Sequence, residues 1–135
     1  MRSQKSLTAR GGLLAGLVLV LLASALTGCG VGPATNQEKI SKTATTYLRA
    51  LADSDAAKAC AQLIHRAKGG GCEAAITEHL SRLDSDALRQ AADDSMDIEI
   101  HGDTATAGLS EPEGARLRPV KVGDDWRIDS GHTLG

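Results

Sequence analysis

The chain has 135 residues, of which 41% are hydrophobic and 24% are charged, and its formal net charge at pH 7 is −2. This length suits one small domain, and the balance of 15 basic against 17 acidic residues excludes the strongly basic surface that binds nucleic acid. With one Tyr, one Trp and no Phe, the composition predicts a thin core.

The N-terminal segment, over residues 1–28, has the layout of an export signal. Residues 1–10 carry three positive charges and no acid, residues 13–25 are an apolar run, and small residues follow. The segment leads into Leu26-Thr27-Gly28-Cys29, which resembles the lipobox of bacterial lipoproteins. That resemblance implies that the Cys29 sulfur receives a diacylglycerol and becomes residue one after cleavage. A single transmembrane helix is the alternative, but the stretch from 11 to 28 is at the lower limit of length and no basic cluster follows it.

Removal of residues 1–28 changes the charge of the protein. These residues hold three of the 15 basic side chains and none of the 17 acidic ones, so a mature chain that begins at Cys29 has 12 against 17 and a net charge of −5. Two acyl chains, at about 0.8 kcal/mol per buried CH₂, hold such a chain stably on a bilayer. We therefore expect a bacterial lipoprotein on the extracytoplasmic face of the cell membrane, with residues 29–35 as the lipidated Cys29 and a flexible tether.

The other two cysteines, Cys60 and Cys72, predict a disulfide. An exported domain folds in an oxidising compartment, where an even pair of cysteines is typical of a structural bridge. A metal site or a redox dithiol is the alternative, but the chain has no C-x-x-C motif and no second ligand pair at zinc-finger spacing. Its four histidines have no H-x-x-H spacing. We expect a bridge that contributes about 3 kcal/mol, and neither a metal nor a cofactor.

Four helical segments are predicted between residues 36 and 92. Thr35 and Glu38 have the S/T-x-x-E spacing of a capping box, which indicates where the first helix begins. The apolar face of this helix is formed by Ile40, Ala44, Tyr47, Leu48 and Leu51. A second helix is predicted from Asp55 to the three glycines at 69–71, a third over residues 72–83, and a short fourth turn over residues 84–92.

After residue 92 the apolar period changes from about four to two, which predicts strands. Residues 96–101 and 104–109 form a hairpin around Gly102-Asp103, and residues 115–122 and 126–129 form another around residues 123–125. In the third strand the alternation slips at Pro119. A bulge or an edge position at Pro119 explains the slip, because proline has no N–H to donate to a ladder.

This order predicts an α+β fold, with N-terminal helices packed on one face of a curved, four-stranded antiparallel sheet. Three segments, residues 47–55 (YLRALADSD), 102–107 (GDTATA) and 120–128 (VKVGDDWRI), resemble small exported proteins with an NTF2-like (cystatin-like) cone. The resemblance implies an NTF2-like domain over residues 36–129, followed by a loose tail over residues 130–135. The short connection before the first long strand leaves little room for the usual early hairpin of the family, so an incomplete cone is the alternative.

Four residues that the apolar period places inward are the candidate lining of a pocket. They are Tyr47, Leu51, Ile98 and Trp126. The alternative is that they are the largest anchors of a filled core. Some NTF2-like cones are isomerases, dehydratases or hydrolases with an Asp–His or Tyr–Asp pair in the pocket. Here Asp97 and Glu99 alternate with apolar residues and lie on the wet face of their strand, so we expect no catalytic residue.

Basic side chains form a second candidate surface. A register reset at Pro119 turns four of them outward in one stripe, namely Arg116, Arg118, Lys121 and Arg127. The stripe either forms cross-strand ion pairs, which are worth little each, or docks an acidic partner or lipid headgroups.

The sequence therefore predicts a membrane-anchored extracytoplasmic lipoprotein that acts as a ligand-binding or protein-interaction module. The expected partners are the membrane, through Cys29, and an unknown small ligand or envelope protein. A homodimer through the sheet is a further candidate. The alternatives are a small-pocket enzyme of the NTF2-like type and a purely structural component of the envelope. A cavity with a buried ionisable group would favour the enzyme, and a filled core would leave surface binding.

Overall fold

Residues 34–64, 71–110 and 113–129 are described by the structure, which is a computed structural model. The helices are α1 (Asn36–Ala52), α2 (Ala56–Ala61), α3 (Cys72–Leu80) and α4 (Ser85–Asp93), and the strands are β1 (Asp97–His101), β2 (Thr104–Gly108), β3 (Arg116–Leu117), β4 (Pro119–Val122) and β5 (Asp125–Ile128). The predicted export signal, the lipid site at Cys29 and the C-terminal tail lie outside the described residues.

Helix α1 begins where the capping motif predicts. The Glu38 amide donates to Thr35 Oγ1 at 3.2 Å, and Glu38 Oε2 accepts from the Thr35 amide at 2.6 Å, so both arms of the capping box are present. Such a cap typically contributes about 1 kcal/mol, because it satisfies N–H groups that have no partner within the helix. All five apolar residues predicted for the inner face of this helix are buried.

Helix α2 is shorter than predicted. The Asp55 carboxylate accepts from the Lys58 amide at 2.9 Å and starts the helix, but the helix ends at Ala61. The chain then joins the sheet, because Leu63 forms a parallel bridge with Ile128. The Ile128 amide and carbonyl also form backbone hydrogen bonds, of 2.8 and 2.9 Å, with the residues on either side of Leu63. Backbone hydrogen bonds to a distant strand therefore replace those that would have continued the helix.

A disulfide joins α2 to α3, which confirms the predicted pairing. The Cys60 and Cys72 sulfurs are 2.02 Å apart. Helix α3 ends at Leu80, short of the predicted end at residue 83. The fourth segment is a helix of 9 residues, α4, and not a single turn. Asp84 caps it, since its carboxylate accepts from two amides in the first turn, at 2.9 and 3.3 Å.

The strands form one open antiparallel sheet in the order β1-β2-β4-β5, with β3 also paired to β2. The predicted third strand is divided into β3 and β4 on either side of Arg118, which makes five strands in place of four.

The prediction of a register slip at Pro119 was wrong. Ala107 pairs with Leu117, and Thr104 pairs with Val120. Both strands advance by three residues between these pairs, so the β3–β4 segment has no inserted residue. Pro119 interrupts the ladder by lacking an N–H, without changing the register.

The helices cover one face of the sheet, which confirms the α+β class. Helix α1 packs against α2, α4 and β5, and also contacts β1 and β2. The side chains beneath the helices are almost completely buried, and they are Ala105, Ala107, Leu117, Trp126 and Ile128. The described helices leave the opposite face of the sheet uncovered.

Candidate functional site

Three of the four predicted pocket residues lie in the core of the domain, and the fourth, Ile98, packs against it. Tyr47 and Leu51 are 4% and 3% exposed and belong to the main core cluster. Trp126 is 1% exposed and packs in a second cluster with Ile40 and Ala105. Ile98 contacts both clusters. The structure thus buries Tyr47, Leu51 and Trp126 in the packed interior, while Ile98 is half-buried at its border.

Burial raises the pKa of the Tyr47 hydroxyl to about 12, because the buried environment disfavours the phenolate. The hydroxyl is therefore neutral at physiological pH. A neutral phenol can donate a hydrogen bond but does not act as a general base.

Trp126 connects β5 to helix α1. Its indole Nε1 donates to Asn36 Oδ1 at 3.3 Å, and the Thr43 hydroxyl donates to the Trp126 carbonyl at 3.3 Å. Both hydrogen bonds join the start of the domain to its last strand. The largest side chain of the core thus has a partner for its one polar atom, as buried tryptophans usually do.

The basic stripe is present in part, with one correction. Directly opposite residues in an antiparallel pair share a face of the sheet. Arg116 pairs with Gly108 and Arg127 pairs with Val120, on the uncovered face, and the alternation puts Arg118 there too.

Lys121, however, pairs with the buried Trp126 and therefore lies on the helix-covered side. Its predicted place in the stripe was wrong, because it depended on the register slip that the sheet does not have.

Acidic side chains occupy the other half of the uncovered face. Asp97 and Glu99 on β1 pair with Gly108 and Thr106 of β2 and share their face. Glu99 Oε2 lies 3.8 Å from His101 Nε2, and these two side chains are 68% and 70% exposed. In the described residues, no ion pair joins these carboxylates to the stripe arginines, since β2 lies between them. The uncovered face is therefore acidic on β1 and basic at Arg116 of β3 and at Arg118, which lies between β3 and β4.

Two open grooves flank the exposed ridge of α1. The α1–β5 groove has a volume of about 560 Å³ and is lined by Ala34, Glu38, Lys39, Lys42, Thr43, Thr46, Gln62, Asp125, Trp126 and Arg127. The α1–β1 groove has a volume of about 640 Å³ and is lined by Gln37, Glu38, Ser41, Lys42, Thr45, Thr46, Arg49, Ser95, Met96 and Ile98. Of the four predicted pocket residues, Trp126 lines the first groove and Ile98 the second.

The sequence reasoning missed the polar lining of these grooves. It treated the exposed positions of α1 only as the side opposite the apolar face. The sequence feature that could have indicated this lining is the spacing of Glu38, Lys42 and Thr46 at intervals of four residues, which places them in one row on the helix. The residues opposite this row belong to β5 in one groove and to β1 in the other, and both strands lie far along the chain from α1.

Among the described residues there is no group of three or more His, Cys, Asp or Glu side chains placed to hold a metal ion. None of the described helices is both long enough and apolar enough to cross a membrane.

The chain matches no protein-family model, and it has no significant match among curated proteins or solved structures. The functional argument consequently depends on the geometry of this chain alone.

Proposed function

We propose that this protein is a lipid-anchored extracytoplasmic lipoprotein whose domain binds a protein partner on the uncovered sheet face. The observation that carries the proposal is the separation of charge on this face, which is acidic on β1 and basic at Arg116 and Arg118. Complementary charge sets the orientation of a docked partner, so a face with its two charges separated in this way suits docking. The lipobox-like segment ending at Cys29 supports the membrane anchor.

The small-pocket enzyme has less support than surface binding. Of the residues predicted to line a pocket, Tyr47 and Leu51 are buried in one core cluster and Trp126 in another, and Tyr47 is neutral at physiological pH. The exposed carboxylates of Asp97 and Glu99 lie where water surrounds them. No pair of these groups forms an acid and a base around a shared cavity.

A second copy of the chain is the partner that best fits the charge pattern. If two uncovered faces pack with a two-fold axis parallel to the strands and passing over β2, β1 of each copy lies over β3 and β4 of the other. Asp97 and Glu99 of one copy then oppose Arg116 and Arg118 of its partner twice, by symmetry. The small residues of β2 allow the two sheets to approach at the centre.

Photo-crosslinking in cells that produce the full chain tests this proposal. A photo-crosslinking amino acid in place of Thr106, at the centre of the face, should produce a covalent dimer. The same amino acid in place of Thr77, which is exposed on α3, should not. A covalent adduct with a different envelope protein would show that this protein, and not a second copy of the chain, is the partner. Equal yields from the two positions, or no adduct from Thr106, would refute binding on this face.

Charge reversal adds a specific control. The double variant Arg116→Glu with Arg118→Glu should abolish the Thr106 dimer, because acidic residues then face acidic residues. Adding Asp97→Lys and Glu99→Lys to the same chain inverts both halves of the face and should restore the dimer. Failure of this rescue, with all variants folded, would contradict the proposed arrangement.

We also propose that the domain is an incomplete NTF2-like cone. The two hairpins that carry the resemblance support it, since Gly102 and Gly123 occupy their turns with φ of 63° and 64°. Positive φ is the conformation that tight hairpin turns require and that glycine adopts without strain. An experimental structure with a flat sheet in place of a curved one would contradict this assignment.

The anchor has a separate test. Cys29→Ala removes the sulfur that would carry the lipid, so the protein should move from the washed membrane fraction to the soluble fraction. The matched control is the double variant Cys60→Ser with Cys72→Ser, which also loses cysteine sulfurs but should stay with the membrane. Retention of the Cys29→Ala protein on membranes would show that the lipid anchor is wrong.

A further inference from the structure

The α1–β5 groove contains the donors that bind a phosphate group. Lys42 on α1 and Arg127 on β5 line it together with Thr46 and Gln62. Arg127 borders both the groove and the uncovered face, because β5 is the last strand in the sheet order. In the described part of the chain, the Lys42 ammonium makes no hydrogen bond or ion pair, so all three of its protons are available. Lys39 also lines the groove, and its ammonium donates a hydrogen bond of 2.9 Å to the carbonyl of Asp124 in the β4–β5 turn.

Two carboxylates line the same groove and are partly engaged. Glu38 accepts from the amide and the hydroxyl of Thr35 in the capping box. Asp125 Oδ2 is 3.8 Å from Arg127 Nη2, which is longer than a hydrogen bond, so the guanidinium retains donors for another anion. Three cations against two carboxylates leave the lining with one net positive charge. The mature chain as a whole has a net charge of −5, and the groove is therefore a local cationic site.

Only a short length of chain separates the groove from the proposed anchoring point. Ala34 lines it, and five peptide units join Ala34 to Cys29. Those five units span at most about 18 Å when fully extended. The polar headgroup layer of one leaflet is roughly 5 to 8 Å thick. With Cys29 lipidated, the rim of the groove is within reach of the headgroups by chain length alone.

From this juxtaposition of cations, donors and tether we infer that the α1–β5 groove binds the phosphate of an anionic phospholipid headgroup in the membrane that holds the anchor. The inference rests on the proposed lipid anchor and deepens it. Arg127 and Lys42 approach the phosphate from the two sides of the groove, with the planar guanidinium suited to two of its oxygens. Because β5 and β1 lie at opposite ends of the sheet order, this binding keeps β1 away from the bilayer and accessible.

The sole tryptophan of the chain makes the groove observable, because Trp126 lines it. The full lipidated protein in detergent micelles is titrated with dihexanoylphosphatidylglycerol, dihexanoylphosphatidylcholine and inorganic phosphate, and the Trp126 emission is followed. We expect a saturable change with phosphatidylglycerol and none with phosphatidylcholine. Lys42→Gln and Arg127→Gln should each weaken binding about fivefold, as expected for one lost cation beside anionic lipid.

Arg82→Gln is the matched control. Arg82 is an exposed arginine beyond the end of α3 that pairs with Glu78, away from the groove, and its replacement should leave the titration unchanged. Circular dichroism confirms that each variant is folded. Equal affinity for inorganic phosphate would make this a free-phosphate site and overturn the headgroup assignment. An unsaturable response, or the same loss in Arg82→Gln, would overturn the site altogether.

Failure here is distinguishable from failure of the proposed function. If Cys29→Ala leaves the membrane and Thr106 crosslinks as expected, a negative titration removes only the headgroup site. If Cys29→Ala stays on the membrane, the anchor itself is wrong and the headgroup inference falls with it.

Discussion

The two faces of the sheet are built from alternate residues of the same strands, yet they have opposite properties. On the covered face, Ala105, Trp126 and Ile128 are at most 2% exposed, and helix α1 packs on them. On the uncovered face, Thr106 lies between the acidic β1 and the arginines at positions 116 and 118. The comparison teaches that one face holds the fold together, which leaves the other free to take charged residues that contribute little to stability.

The largest expected effect is on the covered face. Trp126→Ala should lower the free energy of unfolding by about 3 to 5 kcal/mol, because it leaves a cavity and removes the hydrogen bond to Asn36. Urea denaturation followed by circular dichroism measures this loss. Arg118→Ala on the uncovered face is the control and should change stability by less than about 0.5 kcal/mol. Similar losses for both variants would break the distinction between the faces.

The disulfide supports the layer that covers the sheet. Cys60→Ser combined with Cys72→Ser should cost about 3 kcal/mol, because the unfolded chain regains the freedom of the closed loop. The measurement is the shift of the urea midpoint against the oxidised protein, with the reduced wild-type protein expected to match the variant. A shift near zero would mean that hydrophobic contacts alone hold α2 and α3 in place.

The core environment of Tyr47 predicts a loss of stability in strong alkali. Its folded pKa is about 12 against 10 when unfolded, so its contribution is complete below pH 10 and is lost as the pH rises towards 12. The loss is on the order of 2 kcal/mol. It can be measured as the difference in pH dependence between the wild type and Tyr47→Phe. As the chain has one tyrosine, tyrosinate absorbance gives the pKa directly, and a value near 10 would contradict the burial.

The smallest expected effect is on the uncovered face. Val122 is 52% exposed there, so Val122→Thr should change the free energy of unfolding of the dilute protein by less than about 0.5 kcal/mol. Urea denaturation at low and high protein concentration checks this. A cost that appears only at high concentration would sharpen the comparison, because it would place Val122 within a dimer contact. A large cost in the dilute protein would show that something covers this side chain.

Local features account for what the sequence predicted well. The capping box of Thr35 and Glu38 acts within one helical turn, and the hairpin at Gly102 joins adjacent strands. By contrast, the end of α2 depends on hydrogen bonds to Ile128, at the far end of the domain in the last strand. The sequence around Ala61 does not indicate that partner, so the predicted helix extended beyond the observed end of α2.

The face of Lys121 shows the same limit in the candidate site. The prediction that Pro119 cannot donate a hydrogen bond to the strand ladder was correct, and Arg116 does lie on the uncovered face. The direction of Lys121, however, depends on whether a residue is inserted at Pro119. Pairing with β2 decides this, and it keeps one register on both sides of Pro119. The groove lined by Lys42 and Arg127 likewise required both α1 and β5 to be in place.

By itself the sequence determined the α+β class, the Cys60–Cys72 pairing, the start of α1 and the alternation of the strands. Each follows from interactions between near neighbours in the chain or, for the disulfide, from the only pair of cysteines outside the lipobox. Tertiary structure alone decided where α2 ends, which side of the sheet Lys121 occupies and which charges face one another across the α1–β5 groove. The physical reason is that backbone hydrogen bonds and packing between distant segments outweigh local propensity.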